Sequence, residues 1–222
     1  MANKKWNLAG WLYQLRAGWE DRRLGGVSVD ERKPSRFAAQ GAEATQSSDY
    51  RCLDRIFKTH VPLTAQDVLL DVGCGEGRVL TYLYLHKAKC RLMGVELDPE
   101  VTATAQKRVE GCPGIDIRCA DILQAKDLMQ QVTVYYLFNP FNGKILSKFV
   151  AALEKQVPHP IRMVYLFDYY AAYLDDRPGW TKLAGETFRR TGGEQARYSV
   201  YAFDPAQYRA KMQEKQAAKQ KK

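Results

Sequence analysis

Val68-Leu69-Leu70-Asp71-Val72-Gly73-Cys74-Gly75-Glu76-Gly77-Arg78 decides the fold. Its first five residues form a short β-rich run of the kind a buried strand shows, and glycines at alternate positions follow immediately. Glycines two apart let the backbone turn tightly and let a ligand approach the main chain with no Cβ in the way. The amides opening the next helix point at the same spot. A nucleotide-like ligand suits such a loop. A dinucleotide fingerprint, G-x-G-x-x-G, needs its third glycine at position 78, where Arg78 stands, so pyrophosphate binding is disfavoured. The spacing is G-x-G-x-G, with Asp71 two residues ahead; Cys74 reads as a small loop residue.

Downstream, short β-rich runs alternate with helical ones. The pattern predicts strands at 68–72, 91–95, 115–119, 132–138 and 162–167, and helices near 78–87, 100–110, 123–131 and 143–156. Strands separated by helices of that length make right-handed crossovers and a parallel sheet with helices on both faces. The last two runs, 186–190 and 197–203, are separated only by Thr191-Gly192-Gly193-Glu194-Gln195, which predicts an antiparallel hairpin at a sheet edge.

Upstream, Leu8, Trp11, Leu12, Leu15 and Trp19 recur at helical spacing with Lys4, Lys5, Gln14, Arg16 and Arg22 largely between them. They predict an amphipathic helix over 1–24 whose aromatic stripe packs on the domain. Residues 25–48, with Gly25-Gly26, Pro34 and a run of small residues, read as a mobile connection. Leu53, Ile56 and Phe57 mark a second helix over 49–60, stopped near Pro62, and the tail after Pro205 is helical or disordered. The expected fold is α/β: a doubly wound, mostly parallel seven-stranded sheet with a C-terminal antiparallel hairpin and an N-terminal helical extension. Three segments follow: an extension and covering loop over 1–62, the ligand-binding domain over 63–205, and a basic tail over 206–222.

Composition narrows the function. At 222 residues and 45% apolar, the chain suits one compact domain. There is no run of about 20 apolar residues and no signal-peptide core, so a cytoplasmic protein is expected. Five cysteines without a C-x-x-C pair, and only 3 histidines, favour neither a disulfide framework nor a metal site. The net charge is +9, but from Ala206 onward six bases face the single acid Glu214, which leaves the body mildly basic.

Acids stand at the ends of two successive strands, Glu96 with Leu97 after the second and Asp121 with Ile122 after the third, and Asn139-Pro140-Phe141 follows the fourth. With Asp71 and the glycine loop, this ordered set resembles the class I S-adenosylmethionine-dependent methyltransferases over residues 68 to about 203. The resemblance implies S-adenosylmethionine as cofactor, Asp71, Gly73, Gly75 and Gly77 as the loop around it, Glu96 on its ribose hydroxyls and Asp121 on the adenine amine. Leu97 and Ile122 become apolar walls. Tyr50 and Asp49, opening the helix before the first strand, are placed against the methionine end.

Asn139-Pro140-Phe141 is similar to the Asn/Asp-Pro-Pro-aromatic tetrad of amino-methyltransferases but lacks one position. The tetrad's side-chain and backbone carbonyls orient the target amine, making Asn139 the residue expected nearest the transferred methyl. Asp168, at the end of the fifth strand, is a second catalytic candidate that could take a proton or line the acceptor pocket. The acceptor is a nitrogen or oxygen nucleophile. A small molecule or glycan ranks first, because the body lacks a nucleic-acid groove signature; RNA or protein lysine is the alternative. Contact of the Trp-bearing helix with an anionic membrane ranks behind its packing on the domain. A nicotinamide-dependent oxidoreductase and a non-catalytic binding module are the rivals from other classes.

Overall fold

The computed structural model describes residues 8–25, 33–189 and 195–220. Its strands are β1 (Val68–Val72), β2 (Arg91–Glu96), β3 (Ile115–Cys119), β4 (Val134–Phe138), β5 (Ile161–Leu166), β6 (Trp180–Arg189) and β7 (Gln195–Phe203). They form one sheet in the order β3-β2-β1-β4-β5-β7-β6. β1 to β5 run parallel, with Leu70 beside Met93 of β2 and Tyr135 of β4, and β7 runs antiparallel to both β5 and β6. This is a Rossmann-like methyltransferase fold. The chain leaves β1 toward β2 on one side and reaches β4 on the other, so a crevice opens at the carboxyl ends of these strands.

Alternation along each strand divides the core in two. Leu69, Leu92, Val134, Tyr136 and Val164 face α2 (Tyr50–Arg55), α3 (Arg78–Leu85) and α4 (Pro99–Val109). Leu70, Met93, Tyr135, Leu137 and Met163 face α5 (Lys126–Met129) and α6 (Gly143–Gln156). Side chains start the helices: Asp98 accepts from Glu100 N–H at 2.9 Å ahead of α4, and Asn142 accepts from Ile145 N–H at 3.1 Å ahead of α6. A π-helical turn, Ile56–His60, continues α2. The tail forms α7 (Pro205–Gln220), whose Tyr208 ring lies 5.8 Å from Phe203. The expected hairpin turn at 191–194 and residues 1–7 lie outside the described residues. No described helix is long and apolar enough to cross a membrane.

The N-terminal helix, α1 (Leu8–Gly25), docks opposite to expectation. Trp11, Leu12, Leu15 and Trp19 are 50 to 59% exposed, whereas Glu20 and Asp21 are buried. Asp21 accepts from Tyr50 Oη at 2.7 Å, from the Arg78 guanidinium at 2.6 Å and from Arg108 at 3.0 Å. Two buried guanidiniums demand a carboxylate, and that demand outweighs burial of the apolar stripe in setting which face turns inward.

Candidate active site

A cavity of about 300 Å³ occupies the crevice. Its floor is the glycine loop. Gly73 and Gly75 have φ of +71° and +53°, and a Cβ on Gly73 would stand 2.9 Å from Pro140 Cβ. Gly73 and Cys74 N–H both donate to Val95 O, which curls the loop under the end of β2. Gly77 lies away from the cavity lining; a Cβ there would meet Ala105 and Ile117, so its role is to seat α3 against its neighbours.

Glu96 borders the cavity and braces the loop. Its carboxylate accepts from Gly75 N–H at 2.9 Å, Leu97 N–H at 2.8 Å and Asp98 N–H at 3.1 Å. Asp121 is an exposed lining residue whose Oδ1 accepts from Leu123 N–H at 2.9 Å, and half-buried Leu97 and buried Ile122 add apolar walls. Asp71 sits beneath, 3% exposed, and its Oδ2 has no hydrogen-bond partner among the described residues. Burial, reinforced by the Glu96 charge, pushes the Asp71 carboxyl well above the usual range. Burial also pushes the Cys74 thiol up, leaving it little thiolate character.

Asn139 occupies the bend after β4 at φ +38°; its neighbours Phe138 and Pro140 line the cavity, and Asn139 itself does not. Tyr165 Oη donates to its Oδ1 at 3.0 Å. Phe138 stacks on Phe167 with ring centroids 5.1 Å apart.

Besides Gly77, Asp71 and Asn139, two further candidates lie off the cavity lining. Tyr50 is 2% exposed and turned toward Asp21, with the Arg78 guanidinium 5.0 Å over its ring, so it acts behind the glycine loop. Asp168 is 1% exposed, ion-paired with Arg197 and hydrogen-bonded by Ser199, and outside the cavity lining. Its carboxylate ties the end of β5 to β7. The histidines lie off the strand ends, and the described residues hold no group of three His, Cys, Asp or Glu that could take a metal.

The stretch expected to be a mobile connection supplies the roof. Over 33–46 it lines the cavity and is pinned at both ends. Lys33 pairs with Glu76 of the glycine loop, and the Arg36 guanidinium grips Asp98 and reaches Glu100 at 2.7 Å. On the far side, Glu43 N–H donates to Pro140 O at 3.0 Å and Asn142 N–H to Gly41 O at 2.9 Å. Arg36 holds the Asp98 carboxyl down at about 2, aided by the amides of Glu100 and Val101. The available signal was Lys33 and Arg36 over 33–46, opposite the acids Glu76, Asp98 and Glu100 that follow the first two strands.

Residues 69–156 match the family described as methyltransferase domain. Among curated proteins, the ribosomal RNA small subunit methyltransferase A of Thermotoga petrophila is 30% identical over 104 residues, which is 46% of this chain and 39% of that protein. The dimethyladenosine transferase of Schizosaccharomyces pombe is 30% identical over 125 residues, 53% of this chain and 38% of that protein. The chain thus spans about two fifths of the length of these relatives. Among solved structures, TrmN from Thermus thermophilus superposes with a TM-score of 0.55 at 16% identity, over 69% of this chain and 47% of that one. N-methyltransferase NodS from Bradyrhizobium japonicum, solved with S-adenosyl-L-homocysteine, superposes with a TM-score of 0.53 at 13% identity, over 69% and 85%. The motifs, the sheet order and the match over residues 69–156 converge: this stretch matches a methyltransferase domain and is similar to the class I S-adenosylmethionine-dependent methyltransferases.

Proposed function

We propose that this chain transfers the methyl group of S-adenosylmethionine to a base nitrogen of RNA. The RNA arm replaces the small-molecule or glycan acceptor as first choice, because one curated relative is named as a ribosomal RNA methyltransferase and another as a dimethyladenosine transferase. The observation that carries the nitrogen assignment is Asn139, held by Tyr165 at the end of β4 between two cavity-lining residues.

The residues present fit the cofactor. Asp71 Oδ2, buried and without a partner among the described residues, suits a ligand ammonium. Glu96 has three amide bonds and keeps a lone pair on Oε2 for a ribose hydroxyl. Asp121 is assigned to the adenine amine, with Leu97 and Ile122 against the ring faces. Gly73 and Gly75 leave the backbone bare where the ligand lies closest. Bound there, S-adenosylmethionine supplies a carbon already activated by its sulfonium.

The chain's remaining task is orientation. Burial pushes the Tyr165 phenol up, so it stays protonated and keeps donating to Asn139 Oδ1. The second lone pair of that oxygen is left to accept from the target amine and turn its nitrogen toward the cavity. The roof over 33–46 excludes water. Asp168, committed to Arg197 and Ser199, is given no part in proton transfer.

Incubation of the protein with methyl-labelled S-adenosylmethionine and a cell lysate, followed by fractionation, tests the reading. Label is expected in RNA, and Asn139→Ala is expected to abolish it while S-adenosylhomocysteine still binds. Label confined to small molecules, lipid or protein refutes the RNA assignment.

A further inference from the structure

The outward face of α1 remains unexplained by methyl transfer. Trp11, Leu12, Leu15 and Trp19 are each at least half exposed, on a helix that the shared Asp21 carboxylate locks onto Arg78 and Arg108. The stripe is therefore on permanent display. Its flank is basic: Arg22 and Arg23 are exposed, Arg16 is exposed and paired with Glu20 at 2.8 Å, and Glu20 and Asp21, the helix's only acids, are turned inward. Arg23 lies 4.7 Å over the Trp19 ring, which places its charge at the edge of the apolar stripe. Lys4 and Lys5 precede the helix in sequence.

We propose that this face of α1 is a docking surface for an anionic lipid bilayer, holding the enzyme peripherally at a membrane. Trp suits the headgroup level, Leu the acyl boundary just beneath, and flanking arginines the anionic headgroups. Charge complementarity selects this occupant over two others. A second copy packed through the same stripe brings the arginines of two helices together with no acid between them. A nucleic acid satisfies the arginines and could stack on Trp11 and Trp19, but it leaves Leu12 and Leu15 without a partner. The assignment is independent of the acceptor, because no residue of α1 lines the cavity.

The test uses the full chain with phosphatidylcholine vesicles, prepared with and without phosphatidylglycerol. Wild type is expected to co-sediment with the anionic vesicles only, and to be released as salt is raised. Trp11→Gln with Trp19→Gln is expected to lower binding about tenfold or more, with thermal midpoint and S-adenosylhomocysteine affinity unchanged because both rings are exposed. Arg22→Glu with Arg23→Glu, which leaves the stripe intact, is expected to lower it at least about 25-fold, at roughly fivefold per lost cation. Equal sedimentation with neutral vesicles, no sedimentation at all, or retention by both variants overturns the proposal. So does a wild-type dimer that the tryptophan variant dissolves, or RNA binding that depends on the two tryptophans and outcompetes the vesicles.

Discussion

Asp71→Asn should move stability and cofactor affinity in opposite directions. In the free protein Asp71 is 3% exposed with one carboxyl oxygen unpartnered, and burial and Glu96 raise its pKa. What a neutral amide of the same shape removes is the cost of keeping this buried carboxyl protonated, or burying it charged, at pH 8, on the order of 1 to 3 kcal/mol for a buried group without a partner. In a chain of this size each kcal/mol is worth about 2 to 4 °C in Tm. The gain has a defined pH dependence. Because the folded pKa is raised, the native state holds its proton where the unfolded chain has lost it. The wild-type penalty is therefore absent below the unfolded value of about 4 and grows as pH rises toward the folded pKa. With the cofactor the sign inverts. The same oxygen is assigned to a ligand ammonium, and a hydrogen bond to a charged group contributes about 1.5 to 3 kcal/mol, or roughly 10- to 150-fold in Kd. Thermal unfolding between pH 5 and 8 with and without S-adenosylhomocysteine, together with calorimetric titration, reads both arms. A destabilised free variant refutes the penalty; an unchanged Kd refutes the ammonium assignment.

Three other perturbations probe the frame of the site. Gly73→Ala forces a side chain into φ +71° and its Cβ against Pro140, so a loss exceeding about 1 kcal/mol is expected in urea unfolding, together with weaker cofactor binding. Arg36→Ala removes the clamp on Asp98 and should speed S-adenosylhomocysteine dissociation severalfold in stopped flow. Because Asp98 is depressed to about 2, its contribution to the clamp is complete above about pH 4 and is lost as pH falls from there toward 2. Asp21→Ala strips the buried Arg78 and Arg108 of their shared carboxylate and should cost about 3 to 5 kcal/mol by denaturant midpoint, whereas Trp19→Gln on the same helix should cost almost nothing.

The sheet was readable from sequence wherever a short β-rich run is ended by a turn, buried as in β1 or at an edge as in β3. Val68–Val72 and Ile115–Cys119 coincide with the expected runs. β6 begins at Trp180 rather than near Glu186. Thr181, Lys182 and Leu183 are exposed there, and nothing apolar repeats. The cavity floor was equally legible, because Gly73, Gly75, Glu96, Asp121 and Ile122 all sit at strand ends fixed by the crossovers. Its roof was not. Lys33, Arg36, Gly41 and Glu43 are held by ion pairs and main-chain hydrogen bonds to residues far along the chain, and such contacts leave no periodicity to read. The orientation of α1 was hidden for a related reason. A hydrophobic pattern says which face avoids water, but it does not register that two buried guanidiniums are waiting for Asp21.

The roof also has a consequence for the sequence of events in a catalytic cycle. The segment that closes the cofactor cavity bonds to the carbonyl of Pro140 and the amide of Asn142, within the turn that presents Asn139. Lifting it to exchange a spent cofactor loosens the acceptor's docking point at the same moment, so the two ligands cannot come and go at random. On the proposed function, cofactor is expected to load first onto an open chain, the roof to seat, and Asn139 to be fixed for an amine only then. Initial-rate measurements should accordingly show S-adenosylhomocysteine competing with S-adenosylmethionine but not with the methyl acceptor.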